Sequence, residues 1–228
     1  YEICACLVGS EMCIRDSPMS VSHRTYRREP SFTVAIARDP AFNFMYEANI
    51  RYLHHLGEVT YFSPLADTSL PDAGFVYLPG GYPELYLAAL SANRPMLQSI
   101  RRYVENGGKL LAECGGMMYL CDEIRDKNGD VFPMVGVLHQ SATMENMKLR
   151  LGYRTLLYND ARLKGHEFHY SRLVEQQDPL PSCAVAYTAK GVETDTPLYH
   201  YKNVWAGYTH LYWADPAGND WFTKFIIK

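Results

Sequence analysis

The sequence predicts an α/β fold, a mostly parallel β-sheet with helices on both faces. Three observations predict it. Short apolar runs, several of them rich in β-branched residues, are typical of strands buried on both sides. Longer segments with apolar residues at helical spacing alternate with these runs. Glycine-rich turns directly follow two of the runs, and open α/β sheets bind their ligands at such strand ends.

The elements follow one another in a regular order through the first half of the chain. We predict a strand at 33–37, a helix at 44–56 that Gly57 ends, strands at 59–62 and 74–78, helical segments within 84–105, a strand at 109–113 and a helix from Met117. Residues 131–160 and 183–213 are β-rich with several turns. One domain accounts for the chain from Thr33 onward.

The N-terminal residues differ in character from the rest. Residues 8–17, VGSEMCIRDS, are similar to the translation of a transposase-based sequencing-library adapter. We therefore interpret 1–17 as an artefact that is excluded from fold reasoning. Residues 18–32, polar and basic with proline near each end, are interpreted as a linker, and 33–228 as the domain. We expect that the gene was cut here and that an upstream part is missing.

Composition excludes several classes of protein. The net charge of -3 gives no electrostatic reason to expect nucleic acid or an anionic membrane as partner. No apolar run reaches the roughly 18 residues that a membrane-spanning helix needs. The six cysteines form no CxxC pair, which argues against a zinc knuckle. The chain is not a small secreted scaffold, so we expect no disulfide framework. We expect a cytoplasmic protein without a metal site.

Cys114 is the candidate nucleophile. It follows a predicted strand and precedes Gly115, Gly116 and a helix, which is the strand–turn–helix arrangement of a nucleophile elbow. The helix N-terminus is expected to lower the thiol pKa and favour the thiolate. The N–H of Gly115 can stabilise an oxyanion, and Gly80 and Gly81 after the preceding strand can supply a second donor. The alternative is a buried core thiol, which would need no glycine pair after it.

A cysteine nucleophile needs a base, and the pattern leaves two histidines as close rivals. His210 lies in a strand-like stretch near the C-terminus, and His169 lies in the segment 165–171. His166 and His169 are spaced as HxxH, but no third metal ligand is evident at a useful spacing. The residues alone therefore do not choose the base.

Five ordered segments carry a family resemblance. They are 80–86 (GGYPELY), 112–120 (AECGGMMYL), 132–137 (FPMVGV), 165–171 (GHEFHYS) and 208–211 (YTHL). Together they resemble the C-terminal glutaminase domain of the cobyrinate a,c-diamide synthase family, and 37–49 resembles the start of that domain. The resemblance covers about 33–228.

The resemblance implies a fold, an activity and a partner. The fold is that of a class I-type, flavodoxin-like glutamine amidotransferase, with Cys114 as nucleophile and His210 as base. Glu84 and Tyr46 are expected to line the glutamine pocket or a domain contact. The usual partner is an N-terminal synthetase domain that uses ATP and Mg²⁺ to amidate the a and c carboxylates of a corrinoid, so no cofactor is expected in this chain.

Two departures from the family pattern matter. Many glutaminases of this class have a Glu two residues after the histidine, where this chain has Tyr212. The cobyrinate branch generally lacks that Glu, so the group that orients His210 stays unnamed, with Glu167 and Glu84 as candidates. Pro79 replaces the first glycine of a usual triplet. The sequence also contains no GxxxxGK[ST] phosphate loop.

Other functions remain open on the sequence. Nickel-sirohydrochlorin a,c-diamide synthase is closely similar and cobyric acid synthase more distantly so, and both would change only the acceptor. A non-catalytic interaction module on the same fold is an alternative of another class. A cysteine hydrolase or chaperone of the related single-domain type is a third, which the segment 165–171 disfavours.

Overall fold

A computed structural model describes residues 32–177 and 179–227. These residues belong to one compact unit that spans 31–228. The interpretations of 1–17 as an artefact and of nearly all of 18–32 as a linker lie outside the described residues. Within the described part of the chain, no helix is both long enough and apolar enough to cross a bilayer.

The strands are numbered in chain order. They are β1 (Thr33–Ala37), β2 (Glu58–Phe62), β3 (Phe75–Leu78), β4 (Lys109–Glu113), β5 (Glu123–Arg125), β6 (Val131–Pro133), β7 (Ser141–Thr143), β8 (Arg150–Tyr158), β9 (Ala161–His169), β10 (Arg172–Leu173), β11 (Val185–Thr188), β12 (Glu193–Thr194), β13 (Leu198–Tyr201), β14 (Val204–Gly207) and β15 (His210–Tyr212).

The helices are fewer and mostly short. They are α1 (Glu47–Leu56), α2 (Leu87–Ala92), α3 (Arg94–Glu105), α4 (Gly115–Leu120) and α5 (Pro216–Trp221), with a 3₁₀-helix at Pro83–Leu85 and a π-helical segment at Phe222–Ile227.

The main sheet has six strands in the order β13-β14-β4-β3-β1-β2. The strands β2, β1, β3, β4 and β14 pair in parallel, and β13 adds an antiparallel edge. Counted along the chain, the parallel part has the order 2-1-3-4-5 of flavodoxin-like folds. The predicted mostly parallel sheet is confirmed.

Helices cover both faces of this sheet, as predicted. Alternate residues of β1 point to opposite faces, so Val34 and Ile36 join the core that contains Leu53 of α1. On the other face Ala35 joins the core that contains Ile100 of α3. Each face is buried against apolar side chains, and the strands are therefore near-continuous apolar runs rather than alternating ones.

The β-rich second half forms two further sheets. One is antiparallel, in the order β12-β11-β8-β9-β15, and the other is a small mixed sheet in the order β10-β7-β5-β6. The edge strand β15 pairs with β9, which sets His210 opposite His166. This five-stranded sheet brings the histidines of two distant segments together near the end of β4.

Some predicted boundaries are wrong for local reasons. Helix α1 begins at Glu47 rather than residue 44, because Phe44 forms a β-bridge with Gly80. The helical region 84–105 is divided at Asn93, whose side chain caps α3 by accepting from the N–H of Met96 at 3.4 Å. Helix α4 begins at Gly115 rather than at Met117.

Candidate active site

Cys114 occupies a sharp turn between β4 and α4. Its backbone has φ 48° and ψ -108°, a left-handed value of φ that is uncommon for a residue with a side chain. The Cys114 N–H donates to the Gly207 carbonyl at 2.8 Å, which continues the β4–β14 pairing by one residue. Strain of this kind is typical of a nucleophile elbow, where it holds the side chain at the strand end.

The glycines after Cys114 are required by close packing. A Cβ on Gly116 would lie 2.2 Å from the Leu78 carbonyl oxygen, and one on Gly115 would lie 2.7 Å from Cδ of Pro83. Helix α4 therefore starts in direct contact with the end of β3 and the loop that follows it. This contact explains why a glycine pair follows the cysteine.

The two glycine loops lie close to each other beside Cys114. The hydrogen bond from the Gly115 N–H favours the Cys114 thiolate, so this N–H faces the sulfur. A Cβ on Gly115 would lie 3.2 Å from the Gly81 nitrogen, and Gly81 lines a small cavity together with Cys114. The backbones of Gly81 and Gly115 thus lie side by side next to Cys114, and their role as oxyanion donors stays a prediction.

The predicted lowering of the thiol pKa is wrong. Burial raises the pKa of Cys114 to about 12, and the negative charges of nearby carboxylates, Glu84 first among them, raise it further. Helix α4 has only 6 residues, and its N-terminus does not offset this desolvation. Cys114 is therefore a neutral thiol at neutral pH.

His210 lies behind the glycine loop that follows β3. Its side chain is buried and stacks on His166 with ring centroids 4.9 Å apart, while Phe44 packs edge-on at 4.6 Å. A Cβ on Gly80 would lie 2.1 Å from Cε1 of His210, so the ring rests on the backbone there. Burial, with smaller contributions from His166 and His169, lowers the pKa of His210 well below its usual value. The imidazole is neutral and can accept a proton.

His169 also lies near the thiol. It lines the cavity beside Cys114, its Nδ1 is 2.9 Å from the Ser171 carbonyl oxygen, and its ring stacks on Tyr208 with centroids 3.8 Å apart. The thiol sulfur itself is 3.9 Å from the Phe168 carbonyl oxygen. Of the two candidate bases, His169 therefore lines the cavity that contains Cys114, whereas the ring of His210 lies against Gly80 in the neighbouring glycine loop.

The HxxH spacing does not build a metal site here. His166 and His169 lie on β9, where an odd separation directs side chains to opposite faces of the strand. Among residues 32–177 and 179–227, no group of three or more His, Cys, Asp or Glu side chains could hold a metal ion.

Glu84 and Tyr46 lie in different places, Glu84 at the cavity and Tyr46 beside His166. Glu84 lines the cavity with Cys114, and burial raises the pKa of its carboxyl. The hydroxyl of Tyr46 hydrogen-bonds Nδ1 of His166, and its ring packs edge-on against Tyr212. Glu84 is thus placed to contact a ligand, whereas Tyr46 supports the histidine that stacks on His210.

Neither carboxylate considered as an orienter contacts the ring of His210. Oε2 of Glu167 lies 2.8 Å from Nη2 of Arg154 in a buried ion pair. Glu84 faces the cavity. Within the described part of the chain, Nδ1 of His210 has no hydrogen-bond partner.

Sequence reasoning gave Glu113 no role, although it directly precedes the nucleophile. Its buried carboxylate accepts from the Tyr77 hydroxyl at 2.7 Å, from the Leu211 N–H at 3.1 Å and from Nε1 of Trp213 at 3.4 Å. Burial raises the pKa of Glu113 to about 7, against the lowering effect of these three bonds. A carboxylate at the end of an otherwise apolar strand is the sequence signal that could have indicated a role.

The fold and the cysteine turn together define a class, the class I-type glutamine amidotransferase domains. The structure resembles PurLQS from Thermotoga maritima, with a TM-score of 0.55 and 19% identity over 79% of this chain and 87% of that chain. It also resembles another Thermotoga maritima glutamine amidotransferase, with a TM-score of 0.53 and 13% identity over 82% of this chain and 77% of that one. At this identity the likeness shows the fold.

Sequence comparison then defines the family. The chain belongs to the CobB/CobQ-like glutamine amidotransferase domain family, whose model matches residues 33–218. It is 39% identical to hydrogenobyrinate a,c-diamide synthase of Pseudomonas aeruginosa, over 78% of this chain and 41% of that protein. It is 37% identical to cobyrinate a,c-diamide synthase of Clostridium acetobutylicum, over 88% of this chain and 46% of that protein. The chain therefore matches less than half the length of these relatives.

Proposed function

We propose that this chain hydrolyses glutamine to glutamate and ammonia, with Cys114 as nucleophile and His210 as general base. The observation that carries the proposal is the left-handed turn at Cys114, which sets a thiol between the glycine loops of two adjacent strands. Family membership supports the same chemistry.

In the proposed reaction, Cys114 Sγ attacks the side-chain amide carbon of glutamine, and the carbon–sulfur bond forms as the carbonyl becomes an oxyanion. The backbone N–H groups of Gly81 and Gly115 stabilise this oxyanion. His210 accepts the thiol proton and transfers it to the departing nitrogen, which leaves as ammonia. Water then cleaves the glutamyl thioester, releasing glutamate and restoring the thiol.

The proton states support a neutral starting pair. The pKa of the Cys114 thiol is raised and that of His210 is lowered, so at neutral pH the thiol keeps its proton and the imidazole is neutral, with one ring nitrogen free to accept a proton. Attack and proton transfer are then coupled, because the thiolate forms only as His210 takes the proton. Glu84, at the same cavity, is suited to bind the α-ammonium group of glutamine.

The use of the ammonia is inferred from the relatives. The names of the relatives describe a,c-diamide synthases of cobyrinate or hydrogenobyrinate, and their remaining length lies outside the match. We propose that the ammonia amidates the a and c carboxylates of a corrinoid. The synthetase site for this step would lie in a domain that corresponds to the unmatched part of the relatives. ATP and Mg²⁺ would act there, since this sequence contains no GxxxxGK[ST] phosphate loop.

A nickel-sirohydrochlorin acceptor, or the acceptor of cobyric acid synthase, would leave the chemistry of this chain unchanged. The non-catalytic module is disfavoured by the strained turn at Cys114, because a docking surface needs no such strain. We place the protein in a reducing cytoplasm, where the free thiols of Cys114, Cys121 and Cys183 persist.

The test is glutaminase activity of the purified chain. We expect glutamate release by the wild type, none by Cys114→Ala or Cys114→Ser, and cooperative unfolding of all three. A chloroketone analogue of glutamine should modify the peptide that contains Cys114, as judged by mass spectrometry. Cys121→Ala is the matched control, because Cys121 is also a fully buried thiol and should not affect the adduct.

Two outcomes would overturn the proposal. A Cys114→Ala variant with a near-normal rate would show that another group is the nucleophile. A wild-type chain that neither releases glutamate nor forms the adduct would favour the interaction module.

A further inference from the structure

Glu113 is buried in a way that stability alone does not explain. Its side chain belongs to a residue that is 1% exposed, and its three hydrogen-bond donors, from Tyr77, Leu211 and Trp213, are uncharged. Burial of a carboxylate without a cationic partner is unfavourable, and a neutral or apolar side chain would stabilise the fold better. The carboxylate is therefore a candidate for a functional role.

Two of its bonds hold the strand that carries His210. Leu211 of β15 lies opposite Gly165 of β9, but its N–H and C=O bond to side chains on the other side of the strand. Oε1 of Glu113 accepts from the Leu211 N–H, and Nδ2 of Asn49 donates to the Leu211 carbonyl at 2.8 Å. An edge strand is thus completed by two side chains rather than by another strand.

The side chains of Glu113 and Asn49 also bond to Trp213, two residues after Leu211. The Trp213 N–H donates to Oδ1 of Asn49 at 3.1 Å, and Nε1 of Trp213 donates to Glu113. The segment from His210 to Trp213 is therefore fixed on the side that faces β4. Glu113 is bonded covalently to Cys114, so the nucleophile and the anchor of the histidine strand belong to one dipeptide.

The ring of His210 needs such an anchor. Its Nδ1 has no hydrogen-bond partner among the described residues, and its ring is held by stacking on His166, by the edge-on contact of Phe44 and by contact with Gly80. Stacked contacts restrain the plane of a ring, whereas its position relative to the thiol depends on where the backbone lies. The backbone position is what Glu113 and Asn49 determine.

We propose that Glu113 is a positioning residue for glutamine hydrolysis, whose carboxylate fixes the backbone of the His210 strand against the nucleophile turn. The third member of a catalytic triad orients the histidine by a bond to its imidazole ring, whereas Glu113 would position His210 by a bond to the backbone of its strand. The inference rests on the proposed function, since it assigns Glu113 an effect on the same proton transfer.

The experiment compares two replacements of Glu113. Glu113→Met keeps the length of the side chain and removes its acceptors, and we expect kcat to fall about 100-fold with KM changed less than about threefold. Glu113→Gln keeps an acceptor for the Leu211 N–H, and its kcat should stay within about fivefold of wild type. Tyr77→Phe is the matched control, because it removes a bond to Glu113 that does not involve β15.

A double-mutant cycle separates positioning from general damage. In a His210→Ala background, Glu113→Met should lower kcat by less than about threefold further, because the group it positions is gone. Equal losses in both backgrounds would overturn the proposal, as would a Glu113→Met variant with normal kcat or a Tyr77→Phe variant as impaired as Glu113→Met.

A second variant covers the case in which Glu113→Met does not fold. Asn49→Ala removes the other anchor of Leu211 and Trp213, and it should show the same dependence on His210. A loss of kcat in Asn49→Ala that persists unchanged in the His210→Ala background would equally overturn the inference.

A reaction without glutamine distinguishes failure of this inference from failure of the proposed function. The rate at which iodoacetamide alkylates Cys114, followed by mass spectrometry of its peptide, reports proton removal by His210 even in a chain without glutaminase activity. We expect His210→Ala and Glu113→Met to be slowed to the same extent. If wild type and His210→Ala react equally fast, His210 does not act on the thiol and Glu113 has nothing to position.

Discussion

Gly80→Ala tests whether His210 acts as the base from its position against the backbone of Gly80. The added methyl group would lie 2.1 Å from Cε1 of His210, whereas ordinary contacts begin at 3.4 Å. The ring would therefore have to retreat by the difference, about 1.3 Å. It cannot do so freely, because it is 3% exposed and packed between Phe44 and His166.

The expected effect follows from this displacement. A misplacement of about 1 Å in a catalytic group lowers the rate by about 100-fold, and overpacking of this kind costs about 1–3 kcal/mol of stability. We expect Gly80→Ala to lower kcat for glutamine hydrolysis by about that factor, with a lower melting temperature but cooperative unfolding. The assay is glutamate release over a range of glutamine concentrations, together with thermal unfolding.

Gly74→Ala is the matched control at the opposite end of β3. A Cβ there would make its nearest contacts at 3.6 Å, which is ordinary packing, so activity should be retained. The reasoning is refuted if Gly80→Ala stays cooperatively folded and hydrolyses glutamine within about threefold of Gly74→Ala.

Three further predictions concern the base and the buried carboxylates. His210→Ala should lower kcat by about 10²–10⁴-fold while His169→Ala stays near wild type, and the reverse result would make His169 the base. Folding raises the pKa of Glu113 from 4.5 to about 7, so its favourable contribution is fully present below pH 4.5 and is lost as pH rises through about 7. The stability of Glu113→Gln relative to wild type should therefore increase from about pH 5 to 8, by up to about 3 kcal/mol in urea unfolding, and a constant difference would contradict this. Glu167→Ala leaves Arg154 buried without its partner and should reduce the free energy of unfolding by about 3–5 kcal/mol, whereas a loss below about 1 kcal/mol would show that the pair is solvated.

The parallel sheet was predictable because each of its strands is specified by residues that are adjacent in the sequence. The central residues of the runs Thr33–Ala37 and Lys109–Glu113 are apolar, and the structure places strands at these runs. The long strands β8 and β9 were not resolved from the sequence, because Gly152 and Glu167 occupy inward-facing positions at which the alternation used for strand prediction requires apolar side chains.

The site was predictable only in part, for a related reason. The turn at Cys114 has a local signature in its glycines, whereas the bond between Glu113 and Leu211 joins residues far apart in the chain. The predicted direction of the shift in the Cys114 thiol pKa was wrong for the same reason. A helix N-terminus can be recognised from neighbouring residues, whereas burial depends on the whole fold.

The protonated state of Cys114 has a consequence for the protein when no glutamine is bound. Peroxides and disulfides react with thiolates rather than thiols. At a pKa of about 12, only about one thiol in a hundred thousand is ionised at neutral pH, against a few per cent for an exposed cysteine. The proposed nucleophile is thereby shielded from oxidation when no substrate is bound, and we expect its reactivity to appear only when a substrate and His210 act on it together.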